Sequence, residues 1–155
     1  MKGADSMKIS TKVEFGIIAM IDIAINSESN NAVTVYSISK RQNISGKYLE
    51  QILPVLRQAH LIHGLKGSKG GYVLTKPAEE ITFKDIINAL DITVLSDVYF
   101  SSQSESDIAD TVNDNLWNKM TDYMRKFTEK LTLADIIEEY HKSIEEKSEQ
   151  LMYYI

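Results

Sequence analysis

Residues 34–75 read TVYSISKRQNISGKYLEQILPVLRQAHLIHGLKGSKGGYVLT. The stretch divides into a short helix (Ser37–Arg41, after an extended entry at Val33–Val35), a turn at Gln42–Ser45, and a second helix from Gly46 to about Ala59. In the second helix Leu49, Ile52, Leu53 and Leu56 recur at three- and four-residue spacing and form one apolar stripe. Ser45 stands where an N-cap hydroxyl accepts from a first-turn N–H. Pro54 removes one helical hydrogen bond and crowds the Glu50 carbonyl, which predicts a kink. Leu61–Leu65 and Tyr72–Thr75 then flank KGSKGG, the pattern of a hairpin with a glycine-rich tip. Helix, turn, helix and hairpin together predict a winged helix-turn-helix. The class is mainly α with a small β-hairpin wing, followed by a long helix for dimerisation.

Charge points the same way. Residues 34–75 hold six bases (Lys40, Arg41, Lys47, Arg57, Lys66, Lys69) against Glu50 alone, a net of +5. The whole chain is −5 and has a pI of 5.2. A basic island in an acidic chain is the electrostatic footprint of a polyanion site. The exposed start of the second helix carries Ser45, Lys47, Tyr48, Glu50 and Gln51. Lys reaches phosphate or guanine, Gln bonds adenine through two atoms, and Glu accepts from cytosine. Lys66 and Lys69 put two cations on the wing. A phosphate loop for a nucleotide is the competing reading of KGSKGG, but no GK[ST] signature opens a helix after it. Double-stranded DNA is the expected partner.

Thr11–Ile25 reads as a first helix, capped by Ser10 or Thr11, with Gly16 a site of close approach. Lys8, Thr11 and Lys12 sit at its start, where free N–H groups and cations suit a phosphate. Met7 reads as a candidate start, with Met1–Ser6 as a leader. With 155 residues, one domain with an appendage is expected: 7–90 for the winged unit, 91–107 for a loop, 108–131 for a dimerisation helix, and 132–155 for a C-terminal helix and tail. There is no cysteine, which removes thiolate chemistry and thiolate-held metals and fits a reducing cytoplasm. His60, His63 and His141 form no ligand set. No nucleophile–base pair, metal site or cofactor is expected, so an enzyme is not. No apolar run is long enough to span a membrane.

In Ile108–Leu131 the residues Val112, Leu116, Met120, Tyr123/Met124, Phe127 and Leu131 recur at helical spacing, and Trp117 widens the face. Residues 7–90 read as a complete core, so this stripe predicts a homodimer seam; an intramolecular packing helix is the alternative. Leu133–Tyr140 reads as a short helix. A charged stretch, His141–Gln150, follows, and then an apolar end, Leu151-Met152-Tyr153-Tyr154-Ile155.

Three runs carry a family resemblance: ISGKYLEQIL (Ile44–Leu53), then LRQAHLI, then KGSKGGYVL (Lys66–Leu74). Met7–Lys12 and ITFKDIINAL (Ile81–Leu90) extend it. The chain resembles the Rrf family of bacterial winged-helix transcription regulators, and within it the CymR-type cysteine-metabolism repressors. The resemblance implies that Ser45, Lys47, Tyr48, Glu50 and Gln51 and the wing residues Lys66, Ser68 and Lys69 meet DNA. It also implies that the long helix pairs across a two-fold axis, on a pseudo-palindromic operator. Departures matter. Glu14-Phe15 stands where the family has Arg-Tyr, and His60 where it has a helix-ending Gly. The loop 91–110 lacks the three cysteines of cluster-binding members. The tail resembles that of regulators that act with O-acetylserine thiol-lyase (cysteine synthase), so Tyr153, Tyr154 and Ile155 are implied as a partner tail. The function implied is a cytoplasmic repressor of cysteine or sulfur metabolism. A protein-interaction module acting through the tail is the alternative.

Overall fold

The computed structural model describes residues 9–97 and 106–154. Lys8, Ile155 and residues 98–105 of the loop 91–110 fall outside that range. Helix α1 (Thr11–Asn26) starts at Ser10, whose hydroxyl accepts from the Val13 N–H at 3.4 Å. Val13, Ala19, Met20 and Ile23 turn inward from it. Gly16 lies against Leu90, and a Cβ there would come within 2.5 Å of that side chain. Helix α2 (Val35–Gln42) opens on a reciprocal cap between Thr34 and Ser37. The extended entry is therefore shorter than the sequence predicts. Val33 alone is strand-like, and it exchanges two 2.8 Å backbone hydrogen bonds with Tyr72.

Helix α3 (Gly46–Gln58) buries Leu49, Ile52, Leu53 and Leu56, the predicted stripe. It runs as one helix through Pro54. It ends with His60 at φ 60°, the position where glycine is commonest. The Leu61 N–H reaches back to the Leu56 carbonyl (3.1 Å) and the His60 N–H to that of Arg57 (3.0 Å). Those two bonds offset the cost of a left-handed histidine. The wing follows: β1 (Ile62–Leu65) pairs antiparallel with β2 (Gly71–Leu74), Ile62 opposite Leu74 and Leu65 opposite Gly71.

Helix α4 (Phe83–Leu90) returns across α1 and α3, burying Phe83, Ile86 and Leu90. The core does not close within the first ninety residues. Leu133, at the start of α7 (Leu133–Tyr153), is fully buried in the same cluster. Thr132 bridges Thr82, with the Leu133 N–H on the Ile81 carbonyl (2.8 Å) and the Phe83 N–H on that of Leu131 (2.9 Å). The sequence reading of a self-contained unit over 7–90 missed this, because one buried leucine at a helix start carries no periodic signal.

Two helices differ from expectation. The predicted long helix is α5 (Asp107–Val112), a wide five-residue turn at Asn113–Trp117, and α6 (Asn118–Lys130). In the wide turn the Asn118 N–H bonds the Asn113 carbonyl, five residues back. The stripe Ile108, Val112, Leu116, Met120 steps by four, and on a 3.6-residue helix three such steps drift by roughly 120°. One extra residue in a π-type turn takes up most of that drift. Meanwhile α7 does not stop at Tyr140: His141–Gln150 is helical, and the helix continues to Tyr153. The stretch contains no glycine or proline, and Lys142 pairs with Glu138 (3.0 Å) and Glu139 (3.4 Å) along one face. Among the described residues, no helix is long and apolar enough to cross a membrane.

Candidate nucleic-acid interface

The predicted base-reading residues stand on the first turns of α3. The Ser45 hydroxyl accepts from the Tyr48 N–H at 3.4 Å, which fixes where the helix begins. Lys47, Glu50 and Gln51 are exposed just beyond it. The buried stripe accounts for this. With Leu49, Ile52, Leu53 and Leu56 held against α1, α2 and α4, the residues between them face outward.

Tyr48 differs from the sequence expectation of a largely exposed side chain. It is half-buried, and its ring meets Phe15 of α1 edge to face, centroids 5.6 Å apart. An aromatic edge contact of this kind is worth about 0.5–1.5 kcal/mol beyond its buried area. It joins the start of α1 to the start of α3. Thr11, Phe15, Ser45, Lys47, Tyr48 and Gln51 consequently line one shallow depression of about 300 Å3. A predicted phosphate contact and predicted base contacts thus share a single surface. Lys12 is exposed on the same helix start; the Asp91 carboxyl near it is held below its usual range chiefly by hydrogen bonds from Thr93, with a lesser contribution from the Lys12 charge.

The wing supplies a second exposed group. Lys66, Ser68 and Lys69 are all solvent-facing. Its base is closely packed where its tip is open. Gly71 has φ 149°, and a Cβ there would lie 2.6 Å from the Val33 carbonyl oxygen. The strand can approach Val33 that closely only because residue 71 lacks a side chain.

The sequence reading missed one polar cluster. Asp22 is buried on α1, and Arg41 clamps it through Nε (2.9 Å) and Nη2 (2.7 Å), while Gln42 donates at 2.8 Å. The Asp22 hydrogen bond raises the proton affinity of the Arg41 guanidinium, against a smaller desolvation cost. Arg41 therefore belongs to the scaffold, and one of the six island cations is already paired. The signal in the sequence was a single acid inside Met20-Ile21-Asp22-Ile23, where an unpaired charge has no place.

The candidate dimer residues also have definite surroundings. Val112, Leu116, Met120 and Phe127 are exposed, Phe127 by 66%. Met124 is half-buried, and Tyr123 beside it is the more exposed of that pair. Thr121 and Thr128 occupy the buried side of α6, which packs on α4. Arg125 ties α6 to the preceding turn through the Leu95 carbonyl (2.7 Å) and Asp97 (3.0 Å). Among the described residues, no group of His, Asp or Glu side chains is arranged to hold a metal ion.

A buried helix-turn-helix with an exposed second-helix start and a lysine-tipped wing defines a winged-helix DNA-binding transcription regulator. Residues 9–139 match the Rrf2 profile, described as an iron-dependent transcriptional regulator, and the chain belongs to that family. It is 34% identical over 136 residues to the transcriptional regulator IscR of Cereibacter sphaeroides, covering 84% of this chain and 87% of the relative. Among solved structures it resembles CymR of B. subtilis, the global cysteine regulator, with TM-score 0.73 and 31% identity over 86% of this chain and 98% of that one. It also resembles IscR of T. potens, with TM-score 0.72 and 31% identity over 91% and 93%. CymR of Staphylococcus aureus, in its oxidized form, is 36% identical over 85% and 97%, with TM-score 0.68. The iron in the family description does not fit this chain as an iron–sulfur cluster, because clusters are held by cysteine thiolates and the sequence has none.

Proposed function

We propose that this protein is a homodimeric, sequence-specific transcriptional repressor of CymR type, controlling cysteine or sulfur metabolism without an iron–sulfur cluster. One observation carries the DNA reading. Thr11, Ser45, Lys47, Tyr48 and Gln51 share one exposed surface at the start of α3. In this reading Lys47, Glu50 and Gln51 read base edges in a major groove, and Lys66, Ser68 and Lys69 follow the neighbouring groove. Thr11, Lys12 and Lys8 hold phosphate. Val112, Leu116, Met120, Met124 and Phe127 form the dimer seam, so the operator is a pseudo-palindrome. The cysteine-metabolism assignment rests on the likeness to the two CymR structures and on the absence of cysteine ligands.

Genomic footprinting of the bound sites, followed by titration on one of them, tests this. If the dimer neutralises about six to eight phosphates, log K falls with log salt at a slope near −5 to −7. A flat salt response would sink the DNA reading. Gln51→Ala is expected to flatten sequence preference, whereas Lys12→Ala weakens all sequences alike. Sites away from sulfur genes would overturn the regulon alone.

A second reading concerns the tail. Tyr153 and Tyr154 are 94% and 92% exposed at the end of α7, free to enter a partner's cleft. Docking of the Tyr154-Ile155 end in O-acetylserine thiol-lyase is tested by calorimetry with a Gln150–Ile155 peptide. Binding that ignores amidation of the carboxylate excludes it.

A further inference from the structure

The family match ends at residue 139, yet α7 continues to Tyr153. The second half of this helix therefore lies beyond the span that the family model matches. Its apolar residues are spaced regularly. Leu133, Ile137, Tyr140, Ile144, Leu151 and Tyr154 alternate steps of four and three, interrupted only by Lys147 where a further member would fall. This is a seven-residue repeat with apolar first and fourth positions. The stripe begins in the protein's own core, with Leu133 fully buried and Ile136 and Ile137 packed against it. It then leaves that core without changing face. Tyr140 is 46% exposed, Ile144 43% and Leu151 68%. Past its anchored first turns the helix has no tertiary packing of this stripe, and most helical stability in proteins comes from such packing, so a cover over the stripe would stabilise the segment.

Charge placement identifies the occupant. The helix beyond Tyr140 is acidic, with Glu145, Glu146 and Glu149 against Lys142 and Lys147. In the seven-residue repeat those glutamates occupy the outer positions. The positions flanking the seam hold His141, Ser143, Ser148 and Gln150, none of them a carboxylate. A basic partner would be met by acids along the flanks, where pairing charges sit in coiled coils. Neutral flanks instead let two acidic helices approach without repulsion. Lys147 can lay its stem along the seam and keep its ammonium in water.

We propose that the C-terminal half of α7 is a second self-association surface, pairing with the same segment of another copy through Tyr140, Ile144, Lys147 and Leu151. It does not depend on DNA binding or on the α5–α6 stripe. The seam ends at Leu151, because the helix stops at Tyr153 and Tyr154 lies at its cap, so the pairing is compatible with a docking tail.

The cysteine-free chain makes the test clean. Full-length single variants Ile144→Cys, Leu151→Cys and Glu149→Cys are treated at low protein concentration with a short bismaleimide, after circular dichroism has confirmed native helicity. At least one seam variant is expected to cross-link several-fold more than Glu149→Cys, whichever way the two helices run. Adding Leu116→Glu and Phe127→Glu separates this contact from the α5–α6 seam: cross-linking, at a raised protein concentration, should persist. Cross-linking of both seam variants no greater than that of Glu149→Cys would overturn the proposal. So would loss of the seam cross-link at every concentration in the Leu116→Glu, Phe127→Glu background.

Discussion

Asp22 illustrates how one residue constrains the DNA-binding unit. Its side chain has no solvent contact, so its charge is tolerable only while Arg41 and Gln42 donate to it. Those donors lie on α2, so the cluster locks the first two helices together. Arg41→Met leaves the buried carboxylate with one neutral donor, and a loss of about 3–5 kcal/mol is expected from urea unfolding. Arg41→Lys should fall between, because an ammonium keeps the charge but not the paired geometry. Asp91 is a milder case. Its carboxylate accepts from the Thr93 hydroxyl (2.6 Å) and N–H (2.9 Å), which lowers its pKa below the ordinary 3.8. A depressed carboxylate pKa stabilises the fold above its unfolded value, and that contribution is lost as pH falls through the folded value. Thr93→Val should therefore move the Asp91 titration up toward 3.8, read by carbon-13 NMR.

At the scale of elements, the wing is held at its base and open at its tip. Gly71 permits the contact with Val33 that anchors β2 beside the entry to α2. Gly71→Ala combines a disfavoured φ with a clash on backbone, and about 1–3 kcal/mol of stability should go with it. The same variant should lose amide protection at Val33 and Tyr72 in hydrogen exchange, while the core amides of α3 stay protected. The wide turn at Asn113–Trp117 is a second such device. It holds Ile108 to Met120 on one side of the rod, where an uninterrupted helix would wind them round it.

At the scale of the whole molecule, the exposed stripe of α5–α6 and the acidic extension of α7 leave apolar surface that one copy does not cover. Leu116→Glu with Phe127→Glu is expected to give monomers by sedimentation at low protein concentration, where the α7 contact alone does not hold two copies together, with helicity retained. In that form affinity for a two-half-site operator should fall at least 100-fold, toward that of a half-site, because the second contact is no longer local. A dimer that persists at that low concentration when Ile144→Glu is added would place the seam elsewhere.

Much of the winged unit was legible in residues 34–75. A buried stripe at three- and four-residue spacing, a serine cap and glycines around paired lysines are local signals, set by helix geometry and turn chemistry within a few residues. The exposed start of α3 follows from them, because burying one face leaves the other to solvent. What only the tertiary structure decided was long-range. Leu133 closes a core begun at Val13, Asp22 finds its partner nineteen residues on, and Tyr48 turns inward onto Phe15. The sequence determined which faces are apolar and which exposed side chains at the start of α3 and on the wing have donors and acceptors suited to DNA. Which charges are spent inside the scaffold, and which apolar faces are left exposed, depends on contacts between residues distant in the chain, and no local pattern encodes them.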